Sequence, residues 1–251
     1  MMKPPVVIGA MGGSGTRVVA RLVQGAGVFI GTNRNRAEDA MEFVEFYDRW
    51  INRYVGHDAL PLSEAEQVAM TREFRDCVAR HRVAIPAPDV DWGWKEPRSI
   101  YLVPFFWEHF PSLKFIHVTR DGRDMAFSRN QNQLRKHGEA VLGPARDSLP
   151  QPVRSAALWS RINWAAADYG EAVLGERYLQ VRFEDVCQNP KRAIERLYTF
   201  LGRRGPDVSA ALELVIPPES VGRWRACPDP ELIHAIETHA REALVRFGYL
   251  G

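Results

Sequence analysis

The residues whose types and spacing first suggest chemistry are Gly12-Gly13-Ser14-Gly15-Thr16-Arg17, directly behind the apolar run Val6-Val7-Ile8-Gly9-Ala10. Glycine lets a backbone turn with positive φ and approach a ligand closely. From Thr16 onward Val18, Val19, Leu22 and Val23 fall on one side of a helix. A buried strand, a tight loop and a helix start follow from this pattern. The free N–H groups of the first helical turn and the positive end of its dipole then face the loop, and together they form an anion site. Two familiar phosphate loops fit poorly. Gly-x4-Gly-Lys-Ser/Thr meets Ala10 at its first glycine, Thr16 at its lysine and Arg17 at its magnesium hydroxyl. Gly-x-Gly-x-x-Gly meets Val18 where its third glycine belongs. A glycine-rich turn with no ligand is the competing account.

A second group is Arg120-Asp121-Gly122-Arg123-Asp124-Met125-Ala126-Phe127-Ser128, after the strand pattern Lys114–Thr119. Arg120 is expected at the carboxyl end of that strand, where ligands of such sheets bind, and Ser128 on the following helix. A guanidinium fork and a hydroxyl would hold a phosphate. The plainer account is a salt bridge from Arg120 to Asp121 or Asp124, with the serine bonded to its own backbone. A third group is Trp94-Lys95-Glu96-Pro97, a short strand running into a proline turn.

The elements that must position these groups alternate. Helices are expected over Thr16–Ala26, from Glu38 past Trp50, from Ser63 (a capping box with Glu66) to about His81, and after Pro97 to Phe110. Others are expected from Arg120-Asp121 to about Lys136, over Val153–Leu174, from Asn189-Pro190 to Leu201, and from about Pro230 to Phe247. Strands are expected at 6–10, 28–30, 92–95, 114–119 and 178–183, and Ser220–Arg225 is read as a loop. The alternation predicts an α/β domain, a central parallel sheet flanked by helices on both faces. Residues 1–251 are expected to form one domain with a helical insertion at about 32–90. A loop at about 138–152 is a candidate lid.

Composition narrows the function. The chain has 251 residues, 45% of them hydrophobic, enough for one substantial core. A formal net charge of +2 supplies no global field for nucleic acid or a membrane surface, so neither is expected as a partner. Cys77, Cys187 and Cys227 show neither disulfide nor zinc spacing, and no metal-ligand cluster is visible. A soluble protein of a reducing, cytoplasmic compartment is expected.

Gly13-Ser14-Gly15-Thr16 after a strand, with Arg120 and Ser128 after another, resembles the two-part signature of sulfotransferases that use 3′-phosphoadenosine 5′-phosphosulfate (PAPS). Lys95-Glu96-Pro97, Tyr178 to Asp185 with Asn189-Pro190, and Phe200-Leu201-Gly202 are similar to further stretches of that family. The run Ser99–Ser128 is most like the tyrosylprotein sulfotransferase branch. The resemblance covers residues 6–30 and 92–202, and implies a soluble, bacterial-type member with a three-layer P-loop-like fold.

The resemblance further implies that Gly12, Gly13, Ser14, Gly15, Thr16 and Arg17 bind the 5′ phosphosulfate. Arg120 and Ser128 would bind the 3′ phosphate, and Arg223 and Trp224 would close over the nucleotide. Most cytosolic members carry a lysine where Gly13 stands. Lys95 is the expected replacement, by likeness to a Lys-Asp-Pro lysine of the tyrosylprotein branch, with Arg17 as the other cation. For the general base the matching region offers Glu38 and Asp39, with His57 and Glu96 in reserve; Phe183 is read as core rather than as an adenine stack. The expected reaction is sulfuryl transfer to a hydroxyl or amine of a sugar or other small molecule, without a metal. An inactive nucleotide-binding module and a kinase-like phosphotransferase are the alternatives. Acceptor and oligomeric state are not legible.

Overall fold

Val6–Ala10, buried at every position, forms β1 at the centre of the sheet in a computed structural model that describes residues 3–144, 148–203 and 208–251. The other strands are β2 (Val28–Phe29), β3 (Asp91–Lys95), β4 (Lys114–Thr119) and β5 (Tyr178–Arg182). They run in the order β2-β3-β1-β4-β5 and every pairing is parallel. Ile8 lies beside Lys95 and Ala10 beside Val118, so the chain leaves β1, β3 and β4 along one edge. The glycine turn, Glu96 and Arg120 all emerge there, the edge where open parallel sheets bind ligands.

Two cores fill the faces of this sheet. Val7 points into one, built with Phe43, Phe46, Phe74, Trp94 and Phe106. Val6, Ile8 and Ala10 point into the other, which is aliphatic and lies under α1 (Thr16–Gly25) and α9 (Pro190–Phe200). The aromatic core is covered by α2 (Val44–Val55), α3 (Glu64–Arg82), α4 (Val103–His109) and α7 (Gln151–Tyr169). Ser63 and Glu66 form the capping box that starts α3. Polar groups around Trp94 in this core are paired: Trp94 Nε1 donates to Ser99 Oγ at 3.1 Å, and Ser99 and Tyr47 hydroxyls lie 2.7 Å apart.

Several boundaries differ from those read in the sequence, each for a local reason. Glu38 and Asp39 are not helical. Asn35 Oδ1 accepts from the N–H groups of Ala37 and Asp39, Glu38 takes φ 66°, and Ala40 N–H donates to Lys95 O. Residues 35–40 are thereby tied to the end of β3, and only after a 3-10 turn at Met41–Phe43 does α2 begin. The helix expected to run from 121 to 136 is two. The first, α5 (Gly122–Ala126), ends where Gln131 Nε2 donates to the carbonyls of Met125 and Ser128, and α6 (Asn132–Leu142) starts afresh. Ser128 therefore sits between helices rather than on one. Because α6 continues through Gly138 to Leu142, the loop expected at 138–152 is helical in its first part and again from Gln151, and residues 145–147 lie outside the described residues. Phe183 opens α8 (Phe183–Gln188) instead of ending β5. A 3-10 turn, Pro97–Leu102, precedes α4, and another, Arg223–Ala226, lies in the segment read as a loop. The chain ends with α11 (Pro230–Arg246), after the short α10 (Ser209–Leu212).

Candidate active site

The glycine turn is built so that only glycine fits. Gly13 and Gly15 have φ of 99° and 81°, and a Cβ on Gly15 would lie 2.2 Å from the Phe183 ring. Phe183 is buried and holds the turn from below. The sequence reading that gave it to the core agrees with this contact. Gly15 caps α1 with no side-chain hydrogen bond, so the N–H groups of the first turn, including Thr16 and Arg17, keep no side-chain cap. Ser14 and Thr16 are buried, and Ser14 Oγ faces the Met125 sulfur at 3.8 Å. Arg17 is exposed at the second helical residue.

Arg120, 3% exposed, reaches this turn from the end of β4: its Nη1 donates to Gly13 O at 3.3 Å. Nη2 donates to Asp124 Oδ2 at 3.1 Å and to the carbonyl of Ser220, and the guanidinium lies 5.4 Å over the Phe183 ring. Its Nε is buried without a partner among the described residues. Ser128 Oγ stands 3.1 Å from the point a Gly13 Cβ would occupy. Arg120 and Ser128 thus both meet the glycine turn at Gly13. The Arg120–Asp124 salt bridge exists as well; it orients the arginine toward the turn rather than withdrawing it.

Asp124, read from the sequence only as a salt-bridge partner of Arg120, has a second role. It is buried, and its carboxylate also accepts from the N–H groups of Gly222 (2.8 Å) and Trp224 (3.3 Å). One acid therefore fixes both Arg120 and the 220–224 segment. No local signal in the sequence points to its contact with 220–224, about 100 residues away. Arg223 stands close enough to Arg120 that burial and this neighbouring charge lower its pKa. Its Nε donates to Ser220 O at 3.1 Å. The Trp224 ring lies between Arg123 (4.0 Å) and Arg225 (4.7 Å), and its Nε1 is buried without a partner among the described residues.

A cleft of about 220 Å³ opens beside Gly12 and is lined in part by Asp39, Glu96, Arg98, Asn130 and Lys136. Lys95, 1% exposed, lies behind it with Nζ donating to Asp39 Oδ1 at 2.5 Å and to Ala37 O at 2.6 Å. Asp39 Oδ2 accepts from Asn35 at 2.9 Å. Glu38 lies elsewhere: its carboxylate is held by Arg21 at 2.7 Å and Arg34 at 3.7 Å. Glu96 accepts from Arg98 Nε at 2.8 Å and from the Arg98 N–H, capping the turn that follows β3. Burial raises the Glu96 pKa, and the nearby Asp39 charge adds to the rise while Arg98 opposes it. His57 is at the far end of α2, against Asp58 and Gly143, outside this lining. The wall from α6 and the residues before it was not anticipated. Its only trace in sequence was the polar run Asn130-Gln131-Asn132-Gln133. Among the described residues no group of three His, Cys, Asp or Glu is placed to hold a metal, and no helix is long and apolar enough to cross a membrane.

A family model described as "Sulfotransferase family" matches residues 4–207. No curated protein matches the sequence. Among solved structures, the sulfotransferase domain of the curacin biosynthetic pathway aligns with TM-score 0.58 and 14% identity over 100% of both chains. The sulfotransferase domain of the Synechococcus PCC 7002 olefin synthase gives 0.53 and 18% over 95% of each. A retinol dehydratase in complex with androsterone and the inactive cofactor PAP gives 0.50 and 15%, over 97% of this chain and 81% of that one. These likenesses are of fold.

Proposed function

Since the chain belongs to the sulfotransferase family, we propose that it is a PAPS-dependent enzyme that sulfates a hydroxyl or amine of a small-molecule or carbohydrate acceptor. The observation that supports this reading is the meeting of Arg120 Nη1 with Gly13 O, which brings the glycine turn and the end of β4 together. The backbone N–H groups of Gly12 to Arg17 hold the 5′ phosphate at the helix dipole. Arg120 and Ser128 take the 3′ phosphate, and Arg120 Nε, without a partner among the described residues, is a donor left for it. Arg223 and Trp224, fixed by Asp124, close the nucleotide side.

Sulfuryl transfer, like phosphoryl transfer, passes through a loose transition state, so the protein works by positioning and by balancing charge. Of the two carboxylates Asp39 is the base, because it lines the cleft with Gly12 while Glu38 is bound to arginines. Lys95 holds Asp39 in place, and one of its three protons is left for the developing charge. Arg17, exposed at the start of α1, is the second cation for the leaving phosphate. Residues 32–90 form the acceptor side of a single domain.

The test compares 3′-phosphoadenosine 5′-phosphate (PAP) with ADP as thermal stabilisers of the wild type and Arg120→Ala. Expected is a larger rise with PAP, and a loss of about a hundredfold in PAP affinity against little change for ADP in the variant. Equal losses for both nucleotides defeat the assignment of Arg120.

A further inference from the structure

The cleft beside Gly12 differs from a receptor for a flat apolar ring. No aromatic side chain is among its lining residues, and the apolar ones are Met41, Val44 and Pro97. Its charges are balanced, Asp39 and Glu96 against Arg98 and Lys136. The remaining polar groups are carboxamides, of which Asn35 and Gln133 are committed inside the protein. Asn35 bonds Asp39, while Gln133 Nε2 donates to Ala10 O and its Oε1 accepts from Tyr101. Asn130 and Asn132 are different. Asn130 Oδ1 accepts from Asn132 N–H, and Asn132 Oδ1 accepts from Arg135, but their amide nitrogens carry no hydrogen bond to the described residues. Asn130 Nδ2 stands 3.2 Å from where a Gly12 Cβ would be, at the join with the glycine turn. Lys136 Nζ, half exposed at the rim, spends one proton on Asp48 at 2.6 Å.

The cleft therefore presents N–H donors from Asn130, Asn132 and Lys136, just before and along the start of α6, in one lining with the carboxylate of Asp39. A hydroxyl both donates and accepts, so a molecule with several hydroxyls pairs with the donors and the carboxylate at once. An apolar ring with a single hydroxyl would desolvate these donors without pairing them.

We infer that the acceptor is a hydroxyl-rich, saccharide-like molecule, one ring of which occupies this cleft, with Asn130, Asn132 and Lys136 reading the hydroxyls that do not react. This rests on the donor assignment proposed above. In the step, the reacting hydroxyl oxygen forms a new S–O bond, its proton passes to Asp39, and the S–O bond to the 5′ phosphate breaks with its electron pair remaining on that phosphate.

The experiment supplies labelled PAPS and, in parallel, methyl β-glucopyranoside, glucosamine and p-nitrophenol, with the wild type, Asn132→Ala and Lys136→Ala. Expected is transfer to a saccharide hydroxyl, more efficient than transfer to the phenol, with kcat/KM toward that saccharide at least tenfold lower in each variant. Thermal stabilisation by PAP is expected to be the same in all three proteins. Preference for the phenol, no transfer to any saccharide with PAP binding intact, or unchanged saccharide kinetics in both variants overturns the inference. Absence of PAP stabilisation in the wild type instead defeats the donor assignment on which it stands.

Discussion

The two sides of the candidate site are built on different principles. On the side proposed for the nucleotide, backbone and packing leave almost no freedom: Gly13 and Gly15 hold positive φ, Phe183 fills the space under the turn, and Arg120 is buried among fixed acceptors. On the side proposed for the acceptor the groups are side chains on the segment before α2 and at the start of α6, open to solvent at Lys136. A fixed nucleotide needs an inflexible cradle, whereas an acceptor is selected by exchangeable side chains on a scaffold that stays put.

This contrast is sharpest at Asp39. Asp39→Asn is expected to lower turnover by roughly 10²–10⁴, the usual contribution of a general base, with PAP affinity unchanged. Glu38→Gln, one residue away, is expected to change turnover by about threefold at most, since its ion pairs with Arg21 and Arg34 lie outside the cleft. Steady-state kinetics of the two variants decide the matter, and equal losses would erase the distinction between these neighbours. Gly15→Ala probes the rigid side. The Cβ would meet Phe183 at 2.2 Å on a backbone with φ 81°, and a loss of roughly 2–4 kcal/mol of stability is expected by denaturant titration. A variant as stable as the wild type would mean that the turn is looser than its packing implies.

Ser128→Ala should weaken PAP about tenfold, near 1.4 kcal/mol, and leave ADP unaffected, because the contact proposed for Ser128 is to the 3′ phosphate alone. Calorimetric titration of both nucleotides measures it. The smallest effect concerns how the insertion is held. Arg53 and the Ser63 groups lower the Glu66 pKa from 4.5 to about 2. A carboxyl depressed in the folded state stabilises above its unfolded value and loses that contribution as pH falls through the folded one. The stability difference between wild type and Glu66→Gln should therefore shrink from pH 4.5 to about 2, and a constant difference in melting temperature over this window would argue against Arg53 and the Ser63 groups as its source.

Much of the fold could be read from the chain because its signals are local. The runs at 6–10 and 114–119 are too apolar for the surface, and Ser63 with Glu66 announces a helix start. The site was legible where the same local rules apply. A turn that needs two glycines at positive φ, and an arginine one residue beyond a strand, are placed by the backbone itself. The break between α5 and α6 was not legible, because it depends on Gln131 turning back to carbonyls that a continuous helix would have used.

What the sequence determined alone, then, is the pair of strand ends carrying Gly13 and Arg120, which alternation and strand length bring to one edge of a parallel sheet. Tertiary structure decided the rest of the chemistry. Residues 107 positions apart meet when Arg120 reaches Gly13, and 56 separate Lys95 from the Asp39 it holds. Which of two adjacent carboxylates faces the cleft depends on whether arginines on α1 and on the loop at 34 claim the other. Such a choice lies in side-chain partners supplied by distant segments, and no local periodicity encodes it.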